Sequence, residues 1–305
     1  MNGTRLARGL AFLVVASLAA VPAPAVAAPR IIEVHPGPHA IQDALGGAHA
    51  GDILNVHTGA YRVPNGLVVN KSVVIRSAGD GVVTVDGRCK VRYTIQATAN
   101  NVRLRGLRVI GADEGFGDYP AEVDFMFVTT GEVSNSLAVD TCKAAGGGAE
   151  YGISVFQSGP VKVLDNETSG FSDSGIYIGA IVDTGSGTLV VRGNHTHNNV
   201  RGVIVEDSAG GTIAVVGNRV RHNLRPGGET TAGIYLTSSD GVRVNANTVT
   251  NDGEDGIVLD ANSDGNRVIG NAISRHDTDL RNDGTGNCFT GNTYATHTGD
   301  VSTAC

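Results

Sequence analysis

From about residue 50 onward, apolar side chains recur at every second position in short runs. That is the period of a strand with one buried face, because successive side chains point to opposite sides. Gly, Asn, Asp and Ser bound each run, which is turn chemistry. Gly51-Asp52-Ile53-Leu54-Asn55-Val56 opens the series, and Leu67 to Val69 and Val73 to Ile75 continue it around Lys71. Val102 to Val109 alternates along its whole length. Ahead of these, Ile41, Ala44, Leu45 and Ala48 stand at the i, i+3, i+4, i+7 spacing of an amphipathic helix.

From about residue 150 two phrases repeat. One is Gly-Ile-x-Val-like: Gly152-Ile153-Ser154-Val155, Gly175-Ile176-Tyr177-Ile178, Gly202-Val203-Ile204-Val205, Gly233-Ile234-Tyr235-Leu236 and Gly256-Ile257-Val258-Leu259. The other ends in Asn, at Asn166, Asn194, Asn218, Asn247, Asn271 and Asn292. The spacing is too short for a propeller blade of ~40–50 residues, and a leucine-rich repeat needs more Leu per unit. A β-helix coil fits: strands stack on the coil below, Ile and Val form an inner column, and Asn stacks on Asn at a turn. The expected fold is all-β, a single-stranded right-handed parallel β-helix. Its handedness follows from the rule for parallel crossovers. The amphipathic helix would cap the N-terminal end of the coil, whose apolar core and backbone are otherwise open.

The first residues read as an address. Arg5 and Arg8 precede the apolar run Leu10 to Ala20, and Ala25-Val26-Ala27 fits a cleavage site. Residues 1–27 are therefore expected to be a signal peptide and residues 28–305 the β-helix domain. The run is too short to span a bilayer. Gly is 43 of 305 residues and Trp is absent, which disfavours an ordinary helical domain. A net charge of −7 excludes a generally basic nucleic-acid binder or a cationic membrane-surface protein. A secreted monomer that binds neither nucleic acid nor membrane is expected. Export makes disulfides expected. Cys288 and Cys305 lie close enough for a short terminal loop to close, stapling a C-terminal cap; Cys89 and Cys142 would pair by elimination, among the three pairings that four cysteines allow.

The stretch Ala40 to Gly79, with the later "VVGN", "VIGN" and "FTGN" repeats, resembles secreted right-handed parallel β-helix proteins of the pectate-lyase-like superfamily. It looks most like the bacterial group that includes nitrous-oxide-reductase accessory proteins and mannuronan epimerases. The resemblance covers about residues 31 to 305. It implies a scaffold and, through those relatives, an extracellular polysaccharide as partner, acted on by a lyase, epimerase or hydrolase. The alternative is a non-catalytic β-helix that binds glycan or protein. The epimerase stretch Tyr-Gly-Phe-Asp-Pro-His corresponds to Tyr151-Gly152-Ile153-Ser154-Val155-Phe156, which keeps Tyr151 but has Ser154 and Phe156 for the Asp and His. Polygalacturonase motifs are missing. Arg201 and the Arg219/Arg221 pair are the bases a lyase could use.

Candidate chemistry lies on the outward side of the Gly-Ile-x-Val strands, where Gly, x, the residue after Val and the residue two before Gly are expected to face solvent. Segments 111–122, 140–150 and 224–232 lengthen one corner and 180–187 the opposite one, giving two walls. Between them, Asp173, Tyr177, Arg201, Glu206, Asp207 and His197 form the candidate catalytic set. Tyr151, Phe156, Tyr235 and Asp260 are the candidate substrate contacts. Aromatic faces stack on sugar rings, and carboxylates accept hydroxyls or do acid/base work. His195-Thr196-His197 is an i, i+2 pair with no evident third ligand, so no metal site is assigned. The acidic loop with Asp113, Glu114 and Asp118 is the one place for Ca²⁺, though its spacing matches no ligand loop.

Overall fold

The structure, a computed structural model, describes residues 28–142, 148–185, 187–209, 212–224 and 230–305. The expected signal peptide lies outside them. Among the described residues the strands form three parallel sheets of 11, 9 and 10 strands, here sheets 1, 2 and 3. Each coil visits them in that order. Thus Val161–Leu164 belongs to sheet 1, Glu167–Ser169 to sheet 2 and Ser174–Gly179 to sheet 3, before Leu189–Arg192 returns to sheet 1. Every strand pair is parallel and lies one coil apart, so this is the expected β-helix. One continuous apolar core runs along the axis from Val34 to Phe289.

The Asn phrase makes the corner between sheets 1 and 2. Asn194 Nδ2 donates to Asn218 Oδ1 at 3.0 Å and to Val163 O at 2.9 Å. The same pair of bonds recurs at Asn166, Asn218, Asn247 and Asn271, and Asn292 ends the column. The buried amides thereby satisfy one another and the adjacent strand carbonyls. The residue before each Asn is left-handed, with φ 69° at Gly193 and 64° at Gly270, which is why the phrase reads Gly-Asn. A second ladder holds the corner between sheets 2 and 3: Asn199 Nδ2 donates to Asn223 Oδ1 at 2.8 Å, and Asn223 Nδ2 to Asp252 Oδ1 at 2.7 Å. A shorter serine ladder, Ser208 to Ser239 to Ser263, holds the third.

Both ends are closed. The helix Ala40–Gly47 buries Ile41 and Leu45 over the first coil. Lys71 Nζ donates to the carbonyls of Leu45, Gly46 and Ala48 at 2.7–2.9 Å, covering the negative C-terminal end of that helix. At the other end the tail returns along the last strand of sheet 1, where Phe289 N donates to Thr303 O, and Cys288 is joined to Cys305. Cys89 is joined to Cys142, tying the loop before sheet 3 to an earlier coil.

The Gly-Ile-x-Val strands depart from simple alternation. Ile and Val face in and x faces out, as expected, but the Gly faces in as well. A Cβ at Gly202, Gly233 or Gly256 would overlap the inward side chain of Val220, Val249 or Ile273 on sheet 2. The strand bends there, so the residue before each Gly turns outward. Tyr151, Ser174, Arg201, Ala232 and Asp255 share one register column.

Candidate functional site: a groove on sheet 3

The outer face of sheet 3 carries three columns: the residue before Gly, the x position and the residue after Val. Between them lies a groove of about 870 Å³. Its lining includes Asp124, Glu150, Tyr151, Asp173, Tyr177, Arg201, Glu206 and Asp207. Glu114 and Tyr119 of the loop 111–122 rise along one side. The loops 111–122, 140–150 and 224–232 all lie between sheets 2 and 3, and 180–187 lies between sheets 3 and 1, as the two-wall reading requires. Residues 143–147, 186 and 225–229 of those walls lie outside the described residues.

Two tyrosines make the floor. The rings of Tyr151 and Tyr177 stack at 4.4 Å with an interplanar angle of 24°. They lie along the sheet: Tyr151 is 4% and Tyr177 9% exposed, so these rings are packed rather than projecting. Gly179 makes this possible, because a Cβ there would overlap the Tyr177 ring. Tyr177 also hydrogen-bonds Glu206, and burial pushes both tyrosine hydroxyls well above the usual phenol range. Arg201, 3% exposed, donates from Nη1 to Asp173 Oδ1 at 2.8 Å and from Nε to Thr230 O at 3.0 Å. Its guanidinium carbon lies 5.5 Å from the centre of the Tyr235 ring.

Four carboxyl groups at or beneath this floor, Glu122, Asp124, Glu150 and Glu206, are raised above their ordinary values. Burial raises Glu206 and Glu150. Burial pushes Asp124 up to about 6, against hydrogen bonds from Gln96 and Ser154 that pull it down. Glu122, wholly buried, is pushed up to about 8 by the same cause. It accepts from Thr94 Oγ1 at 2.7 Å and Gly111 N at 2.8 Å, and so pins both ends of the loop 111–122 to the coil.

Asp124 and Glu122 had no place in the candidate set, yet their signal was present. Ala121-Glu122-Val123-Asp124-Phe125-Met126 is the same phrase one coil earlier, paired residue for residue with Tyr151 to Phe156. Glu122 takes the inward glycine position and Asp124 the outward x position, which hid the repeat. The carboxylate missing at Ser154 thus stands beside it, one coil up.

Asp173, Tyr177, Arg201, Glu206, Asp207, Tyr151 and Phe156 come together as expected. Tyr235 packs against the end of the tyrosine cluster. Two assignments are corrected. Asp260 is engaged at a corner, accepting from Thr237 Oγ1 at 2.7 Å, Ser263 Oγ at 2.8 Å and Ser238 N at 3.1 Å. His197 lies on sheet 2, on a different face, so it cannot meet the other members of the candidate catalytic set. The acids expected around Ca²⁺ do not converge among the described residues. Asp113 is buried and caps the turn Glu114–Phe116 by accepting from Gly115 N, while Glu114 faces the groove.

His197 instead has the third donor that its spacing did not reveal. Glu167, one coil earlier, pairs in register with His195. Glu167, His195 and His197 bring one ligand atom each within 4.8 Å of one another. The metal-free reading of this stretch is corrected to that extent: three donors are assembled where two were counted.

Solved structures share this architecture. Pectate lyase Pel9A aligns over 90% of this chain and 80% of its own with a TM-score of 0.62 at 14% identity. Tailspike protein 2 from Escherichia coli O157:H7 bacteriophage CAB120 aligns over 89% and 39% with a TM-score of 0.57 at 14% identity. The PL6 family alginate lyase AlyGC aligns over 92% and 40% with a TM-score of 0.54 at 15% identity. This chain therefore spans about 40% of the tailspike and of the alginate lyase, and the likeness is one of fold. None of the curated proteins matches the sequence. A family pattern does, over residues 133–304, which takes in the whole regular run of Asn and Gly phrases. On that match the chain belongs to the NosD family, described as periplasmic copper-binding protein.

Proposed function

We propose that the groove on sheet 3 binds an extracellular polysaccharide, and that Asp124, Tyr151, Tyr177, Arg201 and Glu206 are its principal contacts. One observation carries the reading: a stacked tyrosine pair and carboxyl groups with raised pKa values, on consecutive coils, line one groove beside the loop 111–122. The edges of the packed tyrosines suit the apolar side of sugar rings, and the carboxyl groups beside them suit hydroxyls. Asp124, buried at the floor of the groove and pushed up to about 6 by that burial, has the character of a general acid or base. The groove carries more carboxylates than arginines, so a neutral glycan suits it better than a polyuronate. Pectate lyase and alginate lyase structures on the same fold agree with a glycan partner. Export through a leader over residues 1–27, with residues 28–305 as the working domain, fits the two disulfides and the periplasmic family description. The test incubates the exported chain with a panel of neutral and acidic polysaccharides, reading binding, reducing ends and unsaturated products together. Binding of a neutral glycan that fails in Asp124→Asn/Glu206→Gln supports the reading; no binding to any glycan overturns it. Product formation separates an enzyme from a binding protein.

A second reading comes from the family description, copper. The donor chemistry decides which oxidation state the residues suit. Copper(I) favours thiolate and thioether sulfur. All four cysteines are in disulfides, and Met126 is the methionine among the described residues. Imidazole and carboxylate suit copper(II), and Glu167, His195 and His197 supply both. Copper(II) binding by equilibrium dialysis tests this reading.

A further inference from the structure

Sheet 2 builds its outer face from three-residue strands whose first and third side chains point out. On Glu167–Ser169, His195–His197 and Arg219–Arg221 those positions hold Glu167, then His195 and His197, then Arg219 and Arg221. Parallel pairing sets Glu167 beside His195 and His195 beside Arg219. The i, i+2 spacing sets His197 on the same face as His195, and their ring centres are 4.7 Å apart. His197 Nε2 lies 3.0 Å from Glu167 Oε1, and its Nδ1 lies 2.9 Å from Asn198 Nδ2. His195 Nε2 accepts from Arg221 Nε at 2.8 Å.

We propose that Glu167, His195 and His197 are a copper(II) site on the outer face of sheet 2, and that Arg221 holds His195 until the ion arrives. The proposal rests on the copper reading above and adds the place and the gate. Two imidazole nitrogens and one carboxylate oxygen supply part of a tetragonal N,O set and leave positions open to water or to a ligand from a partner. Asn198 holds the far nitrogen of His197, the outer-shell arrangement that fixes a metal-binding imidazole. With the ion bound, Nδ1 of His197 carries the proton and Asn198 turns its amide oxygen toward it. Arg221 is a positive charge hydrogen-bonded to one ring nitrogen of His195, beside the place the ion would take. It acts as a competitor, and its departure is part of binding. Glu167 is exposed and both histidines are half-buried, so the ion reaches them from solvent. The other three-donor group among the described residues, Cys89, Asp113 and Cys142, is excluded because its sulfurs are bonded to each other.

The experiment titrates copper(II) into the tag-free exported chain against a competing chelator, with electron paramagnetic resonance of the bound ion. Wild type is expected to bind one ion here with nitrogen couplings from two imidazoles. His197→Asn and Glu167→Gln should each weaken binding at least about tenfold, His197→Asn losing one nitrogen coupling. Arg221→Gln should tighten it several-fold by removing the competing charge. That change is opposite in direction, so a poorly folded variant cannot imitate it. Copper bound with unaltered affinity and spectrum in a His195→Asn/His197→Asn double variant overturns this site and leaves the copper reading standing. No copper bound by wild type overturns both.

Discussion

At the scale of single residues, small side chains decide where large ones can act. Gly179 lets Tyr177 lie flat, and Tyr177 in turn covers Tyr151 and meets Glu206. Tyr177→Ala therefore does more than remove a contact: it empties a packed position. It is expected to cost roughly 2–3 kcal/mol in denaturant unfolding, somewhat less than a fully buried aromatic. Tyr177→Phe should keep the stack, cost under about 1 kcal/mol and weaken glycan binding only through the lost Glu206 hydrogen bond. Glu122 is the second such residue. Its carboxyl, raised from 4.5 to about 8, keeps its proton in the folded chain while an unfolded chain would release it. The folded state then binds more protons than the unfolded state between those two values, so this contribution to stability falls as pH rises from about 4.5 to about 8 and is constant outside that window. Melting temperatures measured across pH should show that decline in wild type and a flatter profile in Glu122→Gln. Equal profiles would mean that Glu122 is not held protonated.

At the scale of elements, the repeat was the legible part. Both phrases became what their spacing implied, an inner apolar column and an Asn column at one corner, because each coil must repeat the contacts of the last. The terminal helix and the Cys288–Cys305 staple were legible for a related reason, since an open coil end has to be covered. What stayed hidden were the places where an element departs from its repeat. The bend at each inward Gly cannot be seen in a period-2 pattern, so Tyr151 and Arg201 were named without the column that joins them. Glu122 in the glycine position disguised a coil, and with it Asp124. Glu167 and His197 meet across 30 residues of chain, a separation set by loop length rather than by local spacing. The Asn column also has a measurable worth. Asn218→Ala leaves Asn194 N and Val191 O without their buried partners, while Asn194 Nδ2 keeps Val163 O. The expected loss is about 2–4 kcal/mol in urea unfolding, from two unsatisfied groups. A loss below about 0.5 kcal/mol would contradict a structural ladder. Replacing Cys288 and Cys305 by Ser should cost about 3 kcal/mol for a loop of this length, with faster hydrogen exchange confined to the last coils.

At the scale of the whole molecule, the three sheets divide the work. Sheet 3 carries a groove rich in tyrosine and carboxyl groups, and sheet 2 carries imidazoles and arginines. Sheet 1 offers a simpler face in which Arg243 and Arg267 adjoin in register. Arg219 and Arg221 on sheet 2 and Arg243 and Arg267 on sheet 1 thus lie away from the groove. No helix among the described residues is long and apolar enough to cross a membrane. A rigid coil that presents separate faces can hold a polymer on one while another is occupied, since the two sites share no side chain. The central claim, that the polymer lies on sheet 3, is tested most directly by hydrogen–deuterium exchange of the exported chain with and without a saturating oligosaccharide from the panel. The account predicts slowed exchange in the groove walls and floor, at residues 114–126, 150–156, 173–179 and 201–207, with sheet 2 strands unchanged. Protection centred on residues 167–169, 195–197 and 219–221, with the groove unaffected, would contradict it.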